Sequence, residues 1–223
     1  MGVDITLKAA DGNSIGGYHA KPEGKPRGAV VVVQEIFGVN AHIKEVCDLY
    51  AKLGYEAIAP AFFDRVQKGV DLGYTPADIE IGRGLMTKMD WDKVVQDVQA
   101  AIDQLKGAGK VGIVGYCWGG TVAWVAACRA NGLSAASCYY GGGVLNFVAE
   151  KAKCPVIMHF GDKDKGIPVE NVEKIKAALP GVPVYRYAEA DHGFSCDHRA
   201  TFHPKSALLA MARTTEFFVK NIG

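Results

Sequence analysis

A chain of 223 residues with 49% hydrophobic and 22% charged side chains is long enough to bury a substantial core, and we read residues 1–223 as one domain. With 25 basic against 24 acidic side chains and a formal charge of +1, it offers no global attraction to nucleic acid or an anionic membrane. Its six cysteines form no CxxC pair and no Cys/His spacing suited to zinc, so no metal or other cofactor is expected. A chain this long needs no disulfide framework, and reduced thiols imply cytoplasmic residence.

In chain order, alternating stretches around 3–8 and 15–20 flank Asp11-Gly12-Asn13 and predict an opening hairpin. Met1-Gly2-Val3-Asp4-Ile5-Thr6 matches an acylation pattern, but Val3 to Leu7 alternates like an edge strand, so lipidation is not expected. Neither a secretory leader nor a membrane-length apolar run is evident. Ala29 to Val33 is a β-branched run of the kind buried on both faces of a parallel sheet. Asn40 caps a helix with Ile43, Val46, Cys47 and Tyr50 on one face, Gly54 ends it, and Tyr55 to Ala59 returns as a strand.

Residues 60–90 break every period and read as loop with a short helix near 77–88. A helix follows over 91–105, then a strand over 110–116 and a helix over 121–129. Short apolar strands recur at 135–139 and 155–160, a helix at 169–178, a strand at 184–187 and a last helix over 204–220. This alternation predicts a three-layer α/β/α fold around a mostly parallel sheet, with the site at the carboxyl ends of the strands.

Gly115-Tyr116-Cys117-Trp118-Gly119-Gly120 joins an apolar strand to an Ala/Val-rich helix. A sharp strand-to-helix turn forces its apex residue into a strained backbone and exposes the side chain, while the helix N-terminus favours a thiolate. Cys117 is thus the candidate nucleophile, whereas Cys47, Cys128, Cys138 and Cys154 read as buried thiols. Gly12-Asn13-Ser14-Ile15-Gly16 has the letters of a serine elbow but sits in the hairpin. Gly107 to Gly112 has the letters of a dinucleotide motif but runs from helix to strand, the wrong direction for a phosphate site.

Catalysis at such an elbow needs an acid and then a histidine later in the chain. His192, just after the strand at 184–187, is placed to be the base, and a structural role is the better reading for His19, His42, His159, His198 and His203. Asp162 and Asp164 share one strand-end loop, and spacing does not choose between them. The Trp118 and Ile36 amides are placed to form an oxyanion hole, with Glu35 at the mouth of the site.

Gln34 to Asn40, Gly115 to Gly120, Tyr139-Tyr140-Gly141, Gly161 to Asp164 with Pro168, and His192-Gly193-Phe194 together resemble the dienelactone hydrolases (carboxymethylenebutenolidases). The resemblance implies a Cys-His-Asp triad on a compact α/β-hydrolase fold without a large lid, acting on a small lactone or ester. It implies Asp164 as the acid and Glu35 as the partner of the resting thiol. It further implies substrate contacts from Phe37, Tyr139 and Phe194 and a carboxylate grip by two arginines. The family's arginine four residues after the histidine is Cys196 here. Arg199 and Arg83 are the remaining candidates. A monomer is favoured. A thiol redox protein using Cys117 and Cys196, and a catalytically inert binding domain, are the rival readings.

Overall fold

The computed structural model describes residues 2–223; Met1, the first residue of the acylation pattern, lies outside the described residues. Eight strands form one sheet in the order β1-β2-β4-β3-β5-β6-β7-β8. The opening hairpin is β1 (Val3–Lys8) and β2 (Ser14–Ala20), paired antiparallel, and β2 pairs antiparallel with β4 (Tyr55–Pro60). From β4 onward every pair is parallel, through β3 (Gly28–Val33), β5 (Val111–Tyr116), β6 (Leu133–Tyr139), β7 (Val156–Gly161) and β8 (Val184–Tyr187). Strands β3 and β5 are buried at every residue, as strands covered by helices on both faces must be.

Helix α1 (Ala41–Lys52) starts where expected, with the Asn40 side chain accepting from the Ile43 amide at 3.3 Å. Its Tyr50 ring lies 6.0 Å from Phe218 of the last helix, α6 (Pro204–Ile222), so these two helices share one face of the sheet. Helix α2 (Pro76–Met86) opens on a capping box between Thr75 and Asp78. Helices α3 (Trp91–Leu105), α4 (Trp118–Arg129) and α5 (Val169–Ala178) complete the layers.

Two stretches depart from the sequence reading. The segment taken as loop after Pro60 holds a 3-10 turn, Phe62–Arg65, whose Phe62 and Phe63 are buried. Phe63 stacks on Trp118 at 5.4 Å and Phe62 meets the same indole edge-on at 5.7 Å. Helix α4 begins at Trp118, three residues before the expected Thr121. Gly119 and Gly120 weaken helix propensity, but tertiary packing requires them: a Cβ on Gly119 would strike the Val33 and Gln34 carbonyls, and one on Gly120 the Tyr139 carbonyl. The first turn of α4 is therefore pressed between the ends of β3 and β6.

Candidate active site

Cys117 is the residue between β5 and α4, and its backbone sits at φ 59, ψ −120. A residue with a side chain rarely holds a positive φ, and the conformation costs about 1–3 kcal/mol. Hydrogen bonds on both sides over-determine it: the Cys117 amide donates to the Tyr139 carbonyl at 3.0 Å, and its carbonyl accepts from Gly120 at 2.9 Å. The side chain is partly exposed, unlike Cys47, Cys128, Cys138 and Cys196, which are buried.

His192 follows β8 and reaches back to the same cleft. Its Nδ1 lies 2.6 Å from Asp164 Oδ2. Asp164 is buried, and its Oδ1 accepts from the Gly166 amide at 2.8 Å and the Ile167 amide at 3.1 Å, so the loop after β7 aims the carboxylate. Asp162 faces elsewhere and takes two hydrogen bonds from Arg186, at 2.8 and 3.1 Å. Geometry thus separates two aspartates that spacing left equivalent. The ring of His192 is shielded, which opposes protonation. The adjacent Cys117 sulfur and the Asp164 carboxylate outweigh that burial and lift the pKa to about 10.

The Trp118 amide lies in the unpaired first turn of α4, and neither it nor the Ile36 amide has an acceptor among the described residues. Ile36 lies just beyond β3, and the carbonyl of the intervening Gln34 abuts Gly119 in that same turn. Both amides belong to segments that meet beside Cys117.

Glu35 is buried, and its Oε1 accepts from Arg199 Nη1 at 2.9 Å, while Oε2 has no partner among the described residues. The partner seen here is therefore Arg199 rather than the thiol. Arg199 also lies over the rings of Phe37 and Tyr74, each 5.8 Å from its guanidinium. Room for it comes from Gly193, at φ +76, where a Cβ would stand 2.6 Å from Nη1. This turn brings Arg199 into the site although it is three residues beyond the expected position. Cys196, at that position, is buried with its thiol donating to Tyr74 Oη at 3.3 Å.

Two cavities meet at Cys117 and His192. One, of about 430 Å3, is lined by Ile36 and Phe37, by Asp164 and Asp191, and by Arg83, Lys165 and Arg199; cations outnumber carboxylates there, and it is the basic side. The other, of about 440 Å3, is lined by Met86, Met89, Trp91, Trp118, Tyr140 and Ile167 and is the apolar side. Arg83 is exposed and leans on Glu80 at 3.3 Å, yet it borders the basic cavity.

Two expected substrate contacts do not reach the cleft. Tyr139 is buried with its hydroxyl 2.7 Å from Thr214 Oγ1, and Phe194 is buried against Tyr187 and Tyr140. Tyr140 lines the apolar cavity instead, its ring 5.1 Å from that of His192 and its backbone at φ 37. Strand parity held the signal, because Tyr139 ends β6 facing α6 and the next residue turns the other way. The cleft residues Met86, Met89 and Trp91 were missed, since helical spacing marks Trp91 only as the start of an amphipathic face. Among the described residues, no helix is long and apolar enough to cross a membrane.

The model of the dienelactone hydrolase family matches residues 15–222. A relative from Azospirillum brasilense, provisionally named a carboxymethylenebutenolidase, is 35% identical over 232 residues, covering 99% of each chain. One from Synechocystis, named in the same way, is 34% identical over 224 residues, covering 92% of this chain and 91% of its own. The crystal structure of a provisionally named dienelactone hydrolase from Klebsiella pneumoniae superposes with a TM-score of 0.87 at 29% identity, covering 99% of each chain. With that match spanning nearly every element of the sheet, the chain belongs to the dienelactone hydrolase family and is a carboxymethylenebutenolidase-like hydrolase of the α/β-hydrolase fold.

Proposed function

We propose that the chain hydrolyses a small lactone or ester through a Cys117-His192-Asp164 triad and a thioester intermediate. The observation that carries this reading is the partly exposed thiol at a strained elbow beside an imidazole that Asp164 orients and Cys117 helps to keep protonated. The Cys117 thiolate attacks the carbonyl carbon, and the Ile36 and Trp118 amides hold the oxyanion. As the C–O bond breaks, His192 Nε2 gives its proton to the leaving alkoxide. His192 then takes a proton from water, the resulting hydroxide attacks the thioester, and the thiolate is expelled as the acid departs.

The basic cavity suits a substrate carboxylate, which would compete with Glu35 for Arg199 and draw on Arg83 and Lys165. The redox reading lacks a resolving thiol: burial pushes Cys196 up to about 12, and Tyr74 holds it. The inert-domain reading leaves the charged imidazole beside Cys117 without a purpose.

Turnover of a p-nitrophenyl ester and of lactones with and without a carboxylate tests the proposal, with mass spectrometry of quenched enzyme locating the acyl group. Acylation of Cys117 is expected. Peroxide consumption without ester turnover would sink the idea.

A further inference from the structure

Helix α1 and the segment behind His192 meet at a second group of chemistry-bearing side chains, which the hydrolytic steps do not use. Helix α1 contributes His42 and Glu45, three residues apart and so on one face. The segment contributes Asp197 and His198. One donor atom from each of the four lies within 4.8 Å of all the others. His198 Nε2 stands 2.7 Å from Glu45 Oε2 and 4.0 Å from Asp197 Oδ1, and His42 Nδ1 stands 3.3 Å from Asp197 Oδ1. The two imidazole rings are 5.6 Å apart.

We infer that these four residues form a binding site for one divalent transition-metal ion, with zinc as the reference case. Donors about 2.0–2.1 Å from a tetrahedral ion are roughly 3.3–3.4 Å from each other, in the middle of the observed spread. Rings ligated through one nitrogen each would have centres about 5 Å apart by the same geometry, close to the spacing found. Two imidazoles with two carboxylates select a borderline ion over calcium or magnesium, which take oxygen donors.

A surface ion pair explains His198 with Glu45, but it does not explain His42. The His42 side chain is only 5% exposed, yet it turns Nδ1 toward the cluster, 3.3 Å from Asp197 Oδ1. Glu45 and Asp197 are exposed and free to close the remaining ångström. Local spacing in the chain gives no sign of the site, because Glu45 and His198 are 153 residues apart.

Four protein donors leave no open position for chemistry, so the ion would act as a brace. It would pin α1 to the segment whose next residue, Arg199, grips Glu35 beside Cys117.

The test uses tag-free protein carrying Cys117→Ala, which removes the partly exposed active-site thiol as a competing ligand. Zinc is titrated against a chromophoric chelator, cobalt(II) is titrated for its visible spectrum, and Tm is followed with and without zinc. One equivalent is expected to bind, with tetrahedral cobalt bands and a raised Tm. On the same background Glu45→Gln and His198→Gln, both at partly exposed positions where the fold tolerates change, should each weaken zinc by at least about tenfold, the loss that even an outer partner of a ligand can cause, and should abolish the rise in Tm. Lack of stoichiometric binding, or binding that survives both substitutions, overturns the assignment.

Discussion

Arg199 Nη1 donates to Glu35 Oε1 at 2.9 Å, linking the segment behind His192 to the loop that supplies the Ile36 amide. Both side chains are largely buried, at 16% and 2% exposure. Arg199→Ala therefore strands a carboxylate and should destabilise the fold by about 3–5 kcal/mol, measured by urea denaturation. The double variant Arg199→Ala with Glu35→Gln should recover a good part of that loss. Selectivity for a carboxylate-bearing lactone over its neutral ester should fall about ten- to a hundredfold in kcat/KM in both, in line with one charge-assisted contact. Unchanged selectivity would remove Arg199 from substrate recognition.

Cys117→Ala should lower ester turnover by at least about 10⁴-fold, the scale on which triad members act. Cys117→Gly should be equally inactive yet more stable by about 1 kcal/mol, because glycine adopts φ 59 without the strain a side chain incurs. Thermal denaturation separates the two. A glycine variant no more stable than the alanine one would mean that the elbow stores no strain.

Asp164→Asn should cost on the order of 10³–10⁴-fold in kcat, through loss of the tautomer and orientation that its carboxylate imposes on His192. Asp162→Asn should leave kcat within about twofold and alter stability by about 0–1 kcal/mol, since its partner Arg186 lies at the surface. Steady-state kinetics of the two variants decide the matter, and the reverse ranking would move the acid to Asp162.

The raised pKa of His192 has a consequence for stability. Unfolded histidine releases its proton near 6.5, whereas burial, overcome by Cys117 and Asp164, leaves folded His192 protonated up to about 10. The folded state thus binds more protons between these values. The resulting stabilisation is complete below about pH 6.5 and is lost as pH rises through about 10. Cys117→Ala removes the neighbour that raises this pKa most, so its denaturation midpoint should decline less steeply over that window than the native protein's. Parallel slopes would show that Cys117 does not raise it.

How far the sequence speaks for itself depends on how local each constraint is. Cys117 was legible because a strand, an apex and a helix start impose their demands within a few neighbouring residues. Asp164 was not separable from Asp162, because the choice rests on the Gly166 and Ile167 amides and on a distant Arg186. Arg199 stood only as one of two candidates, because the positive φ of Gly193 that sets the path of the turn is not visible in spacing. Phe62 and Phe63 escaped because a 3-10 turn of four residues is too short to show a period. The strands and long helices fell within a few residues of where apolar periodicity placed them, for burial repeats along their length.

The cleft's two walls differ in how readily they can change shape. On the basic side, Gly193 lets Arg199 lock against Glu35, so that one charge keeps a fixed position. On the apolar side stand Met86 and Met89, unbranched side chains with three rotatable bonds each, in and just beyond the last turn of α2. Adaptability therefore centres on Met89, with Met86 bordering both cavities. Homologous substrates that differ in the bulk of the apolar group should be accommodated by repacking of these methionines, while those that move the anion relative to the carbonyl should be refused.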